Sequence, residues 1–353
     1  MRRRIALTAF TAIALTSAVS ACTDQAGSGG AGSRDQIKIV GSSTVYPFST
    51  LVAEQFVNGN PGMKAPVVES NGTGPGMKQF CAGVGARHPD IADASRRITA
   101  AEYKMCEENG VDRIMEIQVG VDGIAFAESL NGPKMALTPP DLYLALAANP
   151  RGAPNTAKTW KDVNPTLPAI PIQVYGPPAT SGTRDAMAEL ILARGCEAVY
   201  PDSLNLKKKD ENAFKKACQE VRTDGPYVDA GENDNLIVQK LQSNPNAIGV
   251  FGFSYLEENQ ATLAGVTLSG IAPSYETIAS GTYPGSRPLY LYVKQAHMSA
   301  IPGLQKYIEA YSKAWNPGGP LAKRGLIAAP QNVRQASVEI VENGTLMNPA
   351  RLK

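Results

Sequence analysis

The sequence predicts an α/β layered fold with a largely parallel sheet. Two observations predict it. Short apolar runs of strand character alternate with stretches whose apolar residues recur at helical spacing. The joints between them are loops of Gly, Ser and Thr, and at least three of these run directly into a helix pattern: Gly41-Ser42-Ser43-Thr44, Asn71-Gly72-Thr73-Gly74, Ala94-Ser95-Arg96-Arg97 and Ser181-Gly182-Thr183-Arg184. Strand–loop–helix alternation is what a sheet covered by helices requires.

The elements follow in order. Ile37 to Val40 alternates as a strand, Gly41 to Thr44 turns the chain, and Val45, Phe48, Leu51, Val52 and Phe56 keep helical spacing, with Pro47 tolerated in the first turn. Pro66 to Glu69 reads as a second strand, and Met77, Phe80 and Cys81 as one face of the next helix. Asp90 to Ala94 is a third strand, ending at Ser95. Ile117 to Phe126 is a longer β-like run that Gly120 and Gly123 should break. Thr138 starts a helix, Ile172 to Tyr175 is a strand, and Ala186, Met187, Leu190 and Ile191 form the stripe of the helix after Ser181, with Gly195 as its C-cap. Asn233 or Asp234 caps a helix through Leu241; Ala247 to Phe253 and Leu289 to Val293 are strands; a last amphipathic helix runs from about Ile301 to Trp315.

The four loops carry the functional signal. Backbone N–H groups and hydroxyls at a helix N-terminus suit a dehydrated oxyanion, because donors and dipole both favour negative charge. A Ser or Thr before a helix is otherwise an ordinary cap. Four such loops in one chain suggest one anion held by several helix ends.

Composition sets limits. The chain has 353 residues, 43% hydrophobic and 19% charged, enough for about two domains. Arg2-Arg3-Arg4 followed by the short apolar stretch Ile5 to Val19 reads as an export signal, too short to span a membrane. It ends in Val19-Ser20-Ala21-Cys22, which resembles a bacterial lipobox, so residues 1–21 are expected to be removed and Cys22 lipidated; 22–34, rich in Gly and Ser, read as a tether. The bland alternative is an ordinary secretory signal. Removing three of 34 basic residues leaves 31 against 32 acidic ones, so no basic field for nucleic acid is expected, and Lys207-Lys208-Lys209 reads as a solvated loop. Cys81, Cys106, Cys196 and Cys218 remain, an even number in an oxidising compartment. Three pairings are possible; the local one, Cys81 with Cys106 and Cys196 with Cys218, is the expectation. No metal site or cofactor is expected: the Cys spacings are wide and the only histidines are His88, in a loop, and His297, in a segment expected at the surface.

Ile39 to Thr44 followed by Pro47, then Ser70 to Lys78, Asp90 to Arg96 and Ser181 to Asp185, together with Asp234 to Gly249 and Arg287 to Lys294, resemble the periplasmic phosphate-binding proteins of bacterial phosphate ABC transporters, over nearly all of residues 35–353. The resemblance implies a two-domain periplasmic-binding-protein fold of type II, with two hinge strands and the ligand in the interdomain cleft. The first domain would take 35–120 and 287–353, the second 121–286, with Gly120, Gly123 and the segment Tyr283 to Pro288 at the crossings. It implies phosphate contacts from Ser43, the Thr44 hydroxyl, the Val45 N–H, Thr73, Ser95, Arg96, Ser181, the Gly182 N–H, Thr183 and Arg184. Well-known members carry an Asp where this chain has Ser95 and an Arg where it has Pro177; Asp93, Asp122 or Asp185 would then accept the phosphate proton, and Arg96 or Arg184 would supply the guanidinium. The partners implied are inorganic phosphate, an inner-membrane ABC permease and a membrane holding the lipid anchor, with the protein a monomer. Other readings are a binder of another tetrahedral anion such as sulfate, a scavenger uncoupled from transport, and an exported phosphatase. The last lacks a Gly-x-Ser-x-Gly elbow around Ser181 and a carboxylate–His cluster.

Overall fold

The computed structural model describes residues 34–231 and 233–352. The expected signal segment, Cys22 and the tether up to residue 33 lie outside the described residues. In chain order the strands are β1 (Lys38–Gly41), β2 (Val67–Ser70), β3 (Ile91–Ala94), β4 (Ile114–Ser129), β5 (Ala136–Leu137), β6 (Val174–Gly176), β7 (Tyr227–Asp229), β8 (Ile248–Gly252), β9 (Leu263–Gly265), β10 (Thr267–Leu268) and β11 (Ser286–Lys294). The helices are α1 (Tyr46–Gly59), α2 (Thr73–Phe80), α3 (Ala100–Glu108), α4 (Pro139–Leu146), α5 (Trp160–Val163), α6 (Gly182–Ala186), α7 (Ala193–Val199), α8 (Ser203–Lys209), α9 (Glu211–Cys218), α10 (Asp234–Ser243), α11 (Phe253–Glu258), α12 (Tyr275–Ala279), α13 (Leu304–Ala314) and α14 (Gln331–Asn343). One turn of π-helix, Met187–Leu192, joins α6 to α7. No described helix is long and apolar enough to cross a membrane.

Nine strands form one sheet in the order β2-β1-β3-β11-β4-β8-β6-β7, with β9 added against β4. The sheet is mixed rather than largely parallel. β1 runs parallel to β2 and β3, and β6 parallel to β7 and β8. Between those ends, β11 and β4 are antiparallel to each other and to their outer neighbours. Helical crossovers give the parallel pairs, whereas the chain returns through β11 in the opposite sense.

β4 is the spine. Its 16 residues run unbroken through Gly120 and Gly123. From Ile114 to Gly123 it pairs with β11, and from Ile124 to Glu128 with β8. The ladder to β11 slips between Leu289 and Tyr290, leaving Val119 opposite no residue, as in a bulge. The two glycines are there for close approach: a Cβ on Gly120 would lie 2.6 Å from Leu326, and one on Gly123 would lie 2.9 Å from Ile327 and crowd Ile278. Ile327 exchanges both backbone hydrogen bonds with Val121, so a third segment straps the spine where it changes partner.

The core follows the sheet halves. Phe48, Val52 and Phe56 of α1 pack on Ile39 and Ile91 and meet Tyr307 and Tyr311 of α13 and Trp315 just after it. On the other face of β3, Met77, Phe80 and Ala92 form a smaller cluster under α2 and α3. A third cluster surrounds β6 and β8, with Ile124, Phe126, Met187, Ile191, Ile237 and Leu241. Both expected disulfides are present: Cys81–Cys106 ties α2 to α3, and Cys196–Cys218 ties α7 to α9.

Three local expectations are corrected. Gly195 does not end its helix; it lies inside α7, where a side chain would collide with the Pro139 carbonyl and Tyr143 of α4. Lys207 to Lys209 form the exposed last turn of α8, where cations complement the helix dipole, and are not a loop. His297 is not at the surface. It is 3% exposed, its Nδ1 lies 2.6 Å from Asp90 Oδ1, and its Nε2 accepts the Gly85 N–H at 2.9 Å. The Gly85 donor therefore leaves the ring proton on Nδ1, aimed at Asp90.

Candidate functional site

The loop after β1 and the start of α6 meet. Gly41 has a left-handed φ of 135°, and a Cβ there would run into the Asp93 backbone, so only glycine lets β1 turn this tightly over β3. The turn leaves Ser42 N donating to the Asp93 carbonyl at 2.9 Å and Thr44 N to Ser42 Oγ at 3.2 Å. Thr44 and Val45 then open α1, whose N-cap makes no side-chain hydrogen bond. Across from them, Ser181 caps α6 by accepting from Thr183 N at 3.2 Å. A Cβ on Gly182 would stand 3.4 Å from Thr44 Oγ1 and 3.5 Å from Thr44 Cα, so the two loops approach to van der Waals contact here. Ser43 Oγ reaches Asp185 Oδ2 at 3.4 Å over the same gap.

The loop before α2 joins on the first side. Asn71 and Gly72 both donate their N–H to the Gly41 carbonyl, at 3.0 and 2.8 Å. Thr73 Oγ1 lies 3.1 Å from Ser95 Oγ and accepts the Ser95 N–H at 3.1 Å. The structure thus draws together Ser43, Thr44, Gly182 and Asp185, and separately pairs Thr73 with Ser95 at the adjacent end of β3.

The charged residues are arranged differently from expectation. Arg96 donates both terminal nitrogens to Glu102, at 2.8 and 2.7 Å; that hydrogen bonding is the main reason its guanidinium is held more firmly charged than usual. Arg184 lies 3.9 Å over the Tyr227 ring, whose hydroxyl donates to the Pro177 carbonyl at 2.7 Å and is pushed by burial to about 12. Arg96 is thus committed to Glu102, whereas stacking uses only a face of the Arg184 guanidinium. Arg287, which sequence reasoning missed as a site residue, takes the place beside Thr44. It is 4% exposed, and its Nη2 donates to Thr44 Oγ1 at 2.6 Å, its Nε to Asp122 at 3.1 Å and its Nη1 to Glu189 at 2.8 Å. One signal could have found it: it is a lone cation opening an otherwise apolar strand, Ser286 to Val293.

The three candidate acceptors also separate. Asp122 is bound to Arg287. Asp185 faces Ser43, and its carboxyl is raised above the ordinary range by burial, then by Glu189 nearby. Asp93 is 1% exposed and packed inside against Ser49 of α1; burial pushes it to about 8, and its Oδ1 has no partner. Glu189 was not among the expected residues. Among the described residues no cluster of His, Cys, Asp and Glu is arranged to hold a metal ion.

A sheet with helices on both ends of one long spine, and loops meeting over the place where the spine changes partner, has known counterparts. The sequence model of the PBP superfamily domain matches residues 26–313. The chain belongs to the PBP superfamily. Among relatives of this family member, protein SphX of Synechococcus elongatus is 31% identical over 307 residues, covering 83% of this chain and 80% of the relative. The phosphate-binding protein PstS of Staphylococcus saprophyticus is 28% identical over 328 residues, covering 90% of this chain and 89% of its own. A solved structure described as a possible phosphate binding protein from Planctomyces limnophilus superposes with a TM-score of 0.70 at 27% identity, over 87% of this chain and 98% of that one.

Proposed function

We propose that this chain binds one inorganic phosphate between the β1–α1 loop and the N-terminus of α6, and delivers it to an ABC permease. The observation that carries this is the convergence at Thr44. A helix N-terminus, a second helix N-terminus bare of side chain at Gly182, and the buried guanidinium of Arg287 all meet that one residue. Thr44, Ser181 and Thr183 would donate hydroxyls, Val45 and Gly182 backbone N–H groups, and Arg287 the charged donor; Thr73 and Ser95 complete the first side. The relatives that are named phosphate-binding proteins support the choice of anion over sulfate. The two sheet halves act as lobes that part and close about the Gly120–Gly123 stretch of β4 and the start of β11. The protein is exported, held to the membrane through Cys22 and monomeric, and it carries out no chemistry on its ligand.

Calorimetry tests this on protein stripped of carry-over ligand. Wild type should bind one phosphate with micromolar or tighter affinity, which is about −8 kcal/mol, and sulfate far more weakly. Arg287→Gln should weaken phosphate by roughly tenfold to a hundredfold, the range for a charge-assisted hydrogen bond of ~1.5–3 kcal/mol. No heat and no thermal shift with phosphate would sink the reading, as would turnover of a chromogenic phosphate ester.

A further inference from the structure

The loop that leads from β6 into α6 holds a tyrosine beneath it. Tyr227 opens β7 and pairs with Val174 of β6. Its ring runs along the sheet over Gly176, two residues after Val174 and on the same face. A side chain on Gly176 would collide with the Tyr227 hydroxyl and the ring carbon that bears it. The bare glycine therefore leaves the ring its place, and the Pro177 carbonyl fixes the far end by accepting the hydroxyl at 2.7 Å. Tyr227 is 7% exposed, and burial keeps the hydroxyl un-ionised up to about 12, so near neutral pH it stays a donor.

The face of this fixed ring carries Arg184, whose guanidinium carbon lies 3.9 Å from the ring centroid. Arg184 follows Thr183 in α6, so the ring is a floor under a cation that stands beside the proposed hydroxyl donors. An arginine has much rotamer freedom to lose when it meets a ligand, and a floor under one face removes part of that cost beforehand. Stacking engages the face and leaves the in-plane N–H groups for an acceptor. The other cations near the cleft are taken up. Arg96 and Arg97 are held by Glu102 and Glu116, and each of the three nitrogens of Arg287 is already bonded, to Asp122, Glu189 and Thr44. A multiply charged oxyanion gains from a second guanidinium whose edge is still open. We propose that Tyr227 is a positioning residue of the anion site: it presents the edge of the Arg184 guanidinium to bound phosphate, as a second charged donor beside Arg287. The proposal rests on the phosphate reading above and adds to it a residue of β7 that itself touches no ligand atom.

The test is a double-mutant cycle on phosphate affinity, by calorimetry on protein stripped of ligand, with the Tm of each variant recorded without phosphate. Arg184→Gln should weaken phosphate by roughly tenfold to a hundredfold, the range for a charge-assisted hydrogen bond. Tyr227→Leu, which removes the ring, should weaken it by about threefold to thirtyfold, the range for a cation–π contact. Tyr227→Phe keeps the ring face and should stay within about threefold of wild type, even where loss of the bond to Pro177 lowers Tm. In the Arg184→Gln background, Tyr227→Leu should cost no further affinity. A tyrosine that serves only the fold would weaken binding equally in both backgrounds, and that result overturns the proposal. An unchanged affinity in Arg184→Gln overturns it as well. Should Tyr227→Leu not fold, fluorinated phenylalanines at position 227 weaken the ring face without changing its shape. Affinity should then fall with each added fluorine, and an affinity indifferent to fluorine overturns the proposal. In each of these failures wild type still binds phosphate and the phosphate reading stands; a wild type that gives no phosphate heat sinks that reading itself.

Discussion

At the scale of single residues, two side chains decide how this cleft differs from the pattern its loops suggest. In the proposed site Arg287 stands in for the guanidinium that Pro177 cannot supply, and it does so from β11. The loops were legible because Gly, Ser and Thr before a helical stripe have a local meaning. Arg287 was not, because its role depends on β11 lying beside β4 and reaching Thr44, a relation between residues more than two hundred positions apart. The disulfides were legible for the opposite reason, since each closes a short loop. Asp93 shows how a correct position can hold an unexpected role. It lies near the end of β3, as expected, but burial keeps its carboxyl protonated up to about 8. Its folded value lies above the unfolded one, so the stability it contributes is complete below pH ~4 and is lost as pH rises to ~8. Asp93→Asn, which is neutral throughout, should therefore match wild type in acid and exceed it at pH 8, by on the order of a few kcal/mol. Melting curves across that range are the check; a gap that does not widen with pH would show that Asp93 is ionised inside the protein.

At the scale of elements, the helices after the loops were anticipated well, because their stripes are regular: Phe48, Val52 and Phe56 are buried, as are Met77 and Phe80, and Ala186, Met187 and Ile191. What misled was glycine. In Gly195 the sequence shows a helix stop, and in Gly120 and Gly123 a strand break. In the fold all three are places where something else comes close. The α4–α7 contact gives a test whose sign is informative. At an exposed helix position Gly→Ala stabilises by about 1 kcal/mol. Gly195→Ala should destabilise, by ~1–3 kcal/mol, because the new methyl meets the Pro139 carbonyl and Tyr143 with no flexible side-chain end to yield. Denaturant unfolding that shows a gain in stability would mean α4 and α7 have room between them. α3 carries a clear local signature as well, a capping box in which Thr99 and Glu102 exchange hydrogen bonds, and the same Glu102 takes both terminal nitrogens of Arg96.

At the scale of the molecule, the spine β4, the returning strand β11 and the strap around Ile327 are bound together where the sheet changes partners. The sequence marked the first two crossings but not the strap, whose contribution comes from backbone pairing with Val121 and leaves no side-chain pattern. Gly123→Ala would press a methyl on Ile278 and Ile327, separating the strap from the spine. It should lower Tm by a few degrees, as expected for a loss of ~1–2 kcal/mol in a protein of this size, and weaken phosphate binding more than that loss of stability alone explains. An unchanged Tm would show that the strap gives way freely.

The order of the strands also dictates an order of events in time. α1, near the start of the chain, buries Phe48, Val52 and Phe56 against Tyr307, Tyr311 and Trp315, near its end. β3, third in sequence, finds its inner neighbour in β11, the last strand made. The leading third of the polypeptide has only the small cluster of Met77, Phe80 and Ala92 as an apolar core of its own, and the contacts of long separation that complete it form slowly. A ribosome releasing this chain from its N-terminus leaves β3 without its inner neighbour, and α1 without its aromatic partners, until β11 and α13 have emerged. If the chain is exported as proposed, that delay keeps the first half of the sheet incomplete while it threads a channel.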